Sequence, residues 1–177
     1  AFSLMYSWNK SENFAEKYNY LDEHKRAACY APLYPASTED CTRQLLRATR
    51  PNILIIILEG FGGEYIEELG GAKNVSPNIS RLIREGIFFD NVYANSFRTD
   101  RGLVSTLSGH ISYPTTSIMK LPAKSRLLPG IARTLQQAGY QTDFLYGGDI
   151  NFTNMRSYFT TTGYQHLTSD TDFSLQE

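Results

Sequence analysis

The chain has 177 residues, with 17 basic and 18 acidic side chains and a formal net charge of -1. That length supports one domain with a sizeable core, and the near-neutral balance argues against an electrostatic grip on nucleic acid, which needs a basic face. No apolar stretch reaches the roughly 18 to 20 residues needed to cross a bilayer, and the opening AFSLMYSWNK has neither the charged nor the apolar region of a signal peptide.

The chain starts at Ala1 rather than at Met and stops at DFSLQE, so the expectation is a piece cut from a longer product. Cys29 and Cys41 are too few for a disulfide framework and lack the spacing of a zinc site. Two ordinary half-buried thiols are expected ahead of a bridge. There is no internal repeat and no low-complexity segment.

Residues 1–49 read as a helical lead-in. Phe14, Tyr18, Leu21 and Ala28 recur at the spacing of one amphipathic helix, which APLYP breaks. Ser37, Thr38 and Asp40 offer caps for a second short helix through Leu46.

From Pro51 the texture changes. NILIIIL is a continuous, largely β-branched apolar run, as in a parallel strand covered on both faces, and is expected to be the central first strand. SPNISRLIREG follows, with Ser76 at the N-cap, Pro77 at the first helical position and Gly86 as stop. IFFDNVYA reads as a second strand. LLPGIARTLQQAG, between Pro129 and Gly139, reads as another helix, and YQTDFLYGG as a third strand. The order β-α-β-α-β-α predicts an α/β fold with a mainly parallel sheet flanked by helices. Ligands of such sheets bind beyond the carboxyl ends of the strands, which singles out EGFGGEY, NSFRTDRG and GGDINFTN.

Glu59 follows six apolar residues, where a carboxylate needs a cation or hydrogen-bond donors. A metal would serve, and so would the backbone N–H groups of the next segment. Thr99 precedes DRGLVSTLSG, the start of a helix, where unpaired N–H groups attract oxyanions and favour an alkoxide nucleophile. Thr99 or Asp100 could equally be a plain N-cap. Arg98 and Arg101 are suited to phosphate or sulfate oxygens, or to a solvated salt-bridge face. Asn95, Asn151 and Asn154 could donate to substrate, although asparagine is also common in turns. His110 is a candidate ligand or acid but reads more simply as a structural hydrogen-bonding residue. His24 and His166 are given no role.

Taken together, RPNILIIILEGFGGEYIEELGG, SPNISRLIREGIFFDNVYANSFRTDRGLVSTLSG and LPGIARTLQQAGYQTDFLYGGDINFTNMRSYFTTTGY resemble the sulfatase-like branch of the alkaline phosphatase superfamily, and within it the lipoteichoic acid synthase type. The resemblance covers residues 50–164. It implies that residues 50–177 are the N-terminal part of a catalytic domain whose fold is incomplete in this chain. It implies that Glu59 is a metal ligand and that Thr99 is both ligand and nucleophile, with manganese or a similar divalent metal as cofactor; Arg98, Arg101, Asn95 and Asn151 are the candidates for substrate contact by residue type. The implied reaction is phosphoryl or glycerolphosphate transfer, or phosphoester hydrolysis, through a covalent phospho-threonine. A lipid headgroup or cell-envelope glycan would be the substrate, at the extracytoplasmic face of the membrane. Phosphoethanolamine transfer, sulfuric ester hydrolysis and a non-catalytic module of the same fold are the alternatives.

The chain departs from the pattern in two ways. Typical sulfatases carry Cys or Ser, with Pro two places on and Arg four places on, for a modified aldehyde nucleophile. Here Thr99 is followed by Arg101 and Leu103 at those positions, and threonine cannot form that aldehyde. The family also completes its metal site with an Asp-His pair and a further His, and carries membrane helices ahead of the catalytic part. Neither appears here, so the expectation is a fragment that is inactive alone, whose membrane anchor lies elsewhere and whose cut sheet leaves it prone to self-association.

Overall fold

The best-punctuated segments of the sequence are helices in the computed structural model, which describes residues 13–33, 39–40 and 42–174. Two compact units divide between Ile55 and Ile56.

In the unit Ala1–Ile55 the single helix expected from Phe14 to Ala28 is two: α1 (Phe14–Lys17) and α2 (Glu23–Tyr30). Asp22 causes the break. Its side chain accepts from the Lys25 backbone N–H at 2.9 Å and so starts a new helix at its own position. The same bond holds the Asp22 carboxyl below the ordinary aspartate range. α2 buries none of its residues, so its apolar spacing serves no core within this unit. The second expected helix is also absent from Thr42–Leu46, while Ser37 and Thr38 lie outside the described residues. Asp40 Oδ1 accepts from the Thr42 backbone N–H at 2.9 Å, an Asx turn that competes with helix formation. Cys29 is an exposed free thiol rather than a half-buried one, and Cys41 lies outside the described residues.

In the unit Ile56–Glu177 the elements are α3 (Pro77–Glu85), α4 (Thr99–Ser108), α5 (Pro122–Ser125), α6 (Ile131–Gln137), β1 (Asp143–Leu145), α7 (Met155–Thr162) and β2 (His166–Thr168). Pro77 opens α3 and Gly86 closes it, as the sequence predicts. Ser76 occupies the N-cap, but its hydroxyl donates to the Tyr65 carbonyl instead of capping, which ties α3 to the turn before it.

The core gathers around α4 and α7. Leu103, Val104 and Leu107 share one face of α4; Met155, Tyr158 and Phe159 share one face of α7; Ile118 and Met119 fill in from the intervening 3-10 turn, and all are buried. This is the i, i+3, i+4 spacing that an amphipathic helix requires. The Tyr158 hydroxyl lies 2.6 Å from Ser108 Oγ, so the buried phenol keeps a partner, and burial pushes its pKa up to about 12.

β1 and β2 pair in parallel, with Phe144 opposite Leu167 and α7 crossing between them in the chain. Phe144 stacks on Phe159 of α7 with ring centroids 3.7 Å apart, and Tyr164 meets both rings edge-on. The β-α-β unit is thus sealed by aromatic packing, and the sheet is parallel and helix-flanked as expected.

Two expected strands are not strands. The run 53–58 has no strand pairing among the described residues, and its side chains are 45 to 84% exposed. An apolar run becomes a strand only through ladder bonds to neighbours, and the described residues offer this one none. IFFDNVYA is interrupted by a bend at Asp90 and Asn91, two turn-forming residues in its middle, and Phe89, Val92 and Tyr93 stay exposed.

Candidate active site

Glu59 stands where the run 53–58 ends in a turn. Gly60 follows at φ +68°, a left-handed conformation that favours glycine, and swings the chain away immediately after the carboxylate. Forty residues later, Thr99 is the first residue of α4. The N-cap position belongs to Arg98, which makes no side-chain cap, so Thr99 and Asp100 are not the N-cap. The Thr99 hydroxyl donates to Glu59 Oε1 instead. Two oxygens, one anionic and one ionisable only with help, therefore meet at a helix N-terminus, where the backbone dipoles favour negative charge.

The first turn of α4 is held in place. Asp100 is buried, with its carboxylate 3.6 Å from Lys120 Nζ and 3.9 Å from Arg98 Nε. An acid in the first turn suits the helix dipole, and the lysine partner offsets the desolvation of the acid.

The other candidates separate into two groups. Arg98 is exposed next to Thr99, with its Nε 3.9 Å from Asp100 Oδ1. Arg101, two residues beyond Thr99, sits about 200° around the helix axis from it, and its Nη1 donates to the Pro114 carbonyl at 3.0 Å. Arg101 thus secures the segment after α4. Asn95 does similar work: its Oδ1 accepts from the Ser112 backbone N–H at 2.6 Å and from Ser105 Oγ at 3.1 Å. Asn151 lies in the turn after β1, where it donates to Asp149 Oδ1 and accepts from Arg156 Nε at 2.9 Å. His110 is half-buried, with its ring edge-on to Tyr113 at 5.3 Å, and burial lowers its pKa.

Tyr146, a residue with no motif around it, extends the pairing at the ends of the two strands. Its backbone N–H donates to Thr168 O at 2.9 Å, extending the parallel pairing. Burial raises its phenol pKa first, and the carboxylates of Glu59, Asp149 and Asp170 raise it further.

A hard divalent cation suits carboxylate and hydroxyl oxygens, so Glu59 and Thr99 fit part of such an ion's coordination sphere. Among the described residues no group of three or more His, Cys, Asp or Glu that could hold a metal is found.

A parallel pair of strands joined by a crossing helix and flanked by further helices is a fold the chain shares with the alkaline phosphatase superfamily. A solved member of that superfamily from Vibrio parahaemolyticus superposes with a TM-score of 0.59 at 31% identity, over 64% of this chain and 28% of that one. The chain belongs to the Sulfatase family, whose model matches residues 51–176. It is 30% identical over 115 residues to an N-acetylglucosamine-6-O-sulfatase of Bacteroides thetaiotaomicron, covering 63% of this chain and 20% of that protein. It is 31% identical over 117 residues to an ulvan-active sulfatase of Formosa agariphila, covering 58% of this chain and 20% of that protein. The chain thus spans about one fifth of the length of the curated relatives it matches.

Proposed function

We propose that the chain carries the nucleophile half of a metal-dependent phosphoester hydrolase or phosphoryl transferase, with Thr99 as nucleophile and Glu59 as its partner. The observation that carries this reading is the hydrogen bond from Thr99 Oγ1 to Glu59 Oε1 at the N-terminus of α4. Thr99 Oγ1 gives up its proton toward Glu59 Oε1 and bonds to phosphorus, while the bond from phosphorus to the departing oxygen breaks and that oxygen takes a proton from solvent. Water or an acceptor alcohol then bonds to phosphorus and loses its proton to solvent, the bond from phosphorus to Thr99 Oγ1 breaks, and Thr99 Oγ1 takes back the proton held by Glu59. The N–H groups of the first turn of α4 face the developing charge. Manganese or a similar ion held by Glu59 and Thr99, with ligands beyond these residues, would make the hydroxyl more acidic and offset the charge on the transferring group.

Lipid headgroups and envelope glycans at the extracytoplasmic face are the substrates this reading takes, with glycerolphosphate or phosphoethanolamine as the group transferred. No helix among the described residues is long and apolar enough to cross a membrane.

A second reading, sulfuric ester hydrolysis, is favoured by the family and by relatives named as sulfatases. Thr99 weighs against it, because threonine cannot become the aldehyde on which the usual sulfatase chemistry depends. In the full-length protein, Thr99→Ala is expected to lower manganese-dependent phosphodiesterase turnover by roughly a thousand-fold or more, and Thr99→Ser to keep a large part of it. An undiminished rate in Thr99→Ala overturns the assignment. Phosphorus NMR of the trapped adduct separates the two readings, since a sulfated Thr99 gives no signal.

A further inference from the structure

We infer that Lys120 is a positioning residue for the reaction at Thr99: paired with the buried carboxylate of Asp100, it fixes the first turn of α4 and cancels the negative charge that this turn sets beside the nucleophile. The inference rests on the reading of Thr99 as nucleophile and adds a residue from a separate segment of the chain.

The start of α4 is tied on three sides. Thr99 donates to Glu59, Asp100 faces Lys120, and Arg101 donates to the Pro114 carbonyl at 3.0 Å. Successive residues of an α-helix point about 100° apart, so three consecutive side chains reach three different partners. The Lys120 side has a firm base. Lys120 closes the 3-10 turn Ile118–Lys120, its N–H donates to Ser117 O at 3.2 Å, and the two residues before it, Ile118 and Met119, are buried. That turn packs against α4, so the lysine stem leaves a fixed backbone next to the helix it holds.

Stability alone does not account for this pair. Serine or asparagine at the N-cap would satisfy unpaired N–H groups of the helix without burying a charge, and a buried ion pair contributes little because lost hydration offsets the attraction. Here the N-cap is Arg98, without a side-chain cap, and directly after Thr99 stands an acid whose side chain is only 5% exposed. Asp100 Oδ2 lies 3.6 Å from Lys120 Nζ and Oδ1 lies 3.9 Å from Arg98 Nε. Glu59 and Asp100 thus bring two carboxylates to the place where a phosphoryl group and the oxygen of Thr99 carry further negative charge. The dipole of α4 favours such charge only in part. Little solvent reaches Asp100 to screen it, so without its cations the acid would repel substrate and developing charge alike. Lys120 is the nearer of the two cations and the one carried by another element.

The test uses the full-length, manganese-loaded protein with bis(p-nitrophenyl) phosphate as the probe. Lys120→Met is expected to lower kcat by roughly ten-fold or more with KM within about two-fold, and Lys120→Arg to keep most of the rate. Adding Asp100→Asn to Lys120→Met removes the stranded charge and is expected to recover part of the loss. Amide hydrogen exchange supplies a readout independent of turnover. The Gly102 N–H, bonded to Arg98 O at 2.8 Å, is expected to exchange faster in Lys120→Met while the amides of α7 do not. An unchanged kcat, a loss confined to KM, unchanged exchange at Gly102, or no recovery in the double variant overturns the assignment. If Lys120→Met does not fold, the double variant, which strands no charge, takes its place, and a wild-type kcat there overturns the assignment as well. An undiminished rate in Thr99→Ala overturns the nucleophile instead, while exchange at Gly102 still judges the hold of Lys120 on the helix.

Discussion

The histidine after α4 illustrates how a site neighbour differs from a site residue. His110 projects from the segment after Gly109, and its backbone oxygen accepts from Ser105 Oγ at 2.9 Å while its ring meets Tyr113. Burial lowers its pKa, so the folded state prefers the neutral ring. The folded value lies below the unfolded one, near 6.5, and the sign follows: stability is intact above that pH and falls as the pH drops through the lowered folded value, where the half-buried ring must charge. Thermal denaturation of the chain followed across pH 8 to 4 is expected to show this loss, and His110→Gln to remove part of its steepness. A profile identical in the variant would show that carboxylates alone set the acid limb. Thr99 contrasts with His110: its hydroxyl donates to the Glu59 carboxylate rather than to the backbone.

At the scale of elements, the contact between α6 and α7 depends on glycine. Gly163 closes α7 at φ +108°, and a Cβ there would lie 2.7 Å from the Arg133 backbone nitrogen. Gly163→Ala therefore meets both a disfavoured backbone and a backbone clash, and is expected to cost about 2 to 3 kcal/mol, read as a lower denaturant midpoint at unchanged slope. A shift within experimental error would mean that α6 yields freely. This glycine is legible in the sequence only as a possible helix stop; its role in close packing is not, because the partner lies thirty residues earlier. The same contrast runs through the fold. α3 and α6 carry their start and stop residues in the local sequence, and the Glu59–Thr99 pairing follows from two segment ends plus the family resemblance. The strand at His166–Thr168 is short and has no apolar run to announce it, and what makes it a strand is the parallel register with β1. The run 53–58 fails in the opposite direction, since β-branched residues announce a strand that no local signal can supply with neighbours. Residue type makes Asn95 and Arg101 candidates for substrate contact, while the structure occupies Asn95 Oδ1 with Ser105 and Ser112 and Arg101 Nη1 with Pro114.

For the molecule as a whole, the exposed apolar surface sets the solution behaviour. Ile53, Leu54, Ile55, Ile56, Ile57 and Leu58 are six consecutive apolar residues, with exposures from 45 to 84% and no strand pairing among the described residues. Side chains of an extended segment alternate in direction, so both faces of this run are apolar, and burying either against a second copy removes hydrocarbon from water at about 25 cal/mol per Å². An extended, uncharged, β-branched run is also a template for edge-to-edge pairing. The chain of 177 residues is accordingly expected to associate with itself in a concentration-dependent way in sedimentation experiments at micromolar concentrations. Leu54→Lys with Ile56→Lys puts two charges on one face of the run, and like charges brought together across a pairing interface are destabilising, so the double variant is expected to sediment as a smaller species. Because 53–58 makes no strand pairing among the described residues, the substitutions should leave the helical circular dichroism signal intact. That distinguishes loss of association from loss of fold. A clean monomer for the unsubstituted chain at those concentrations would overturn this expectation.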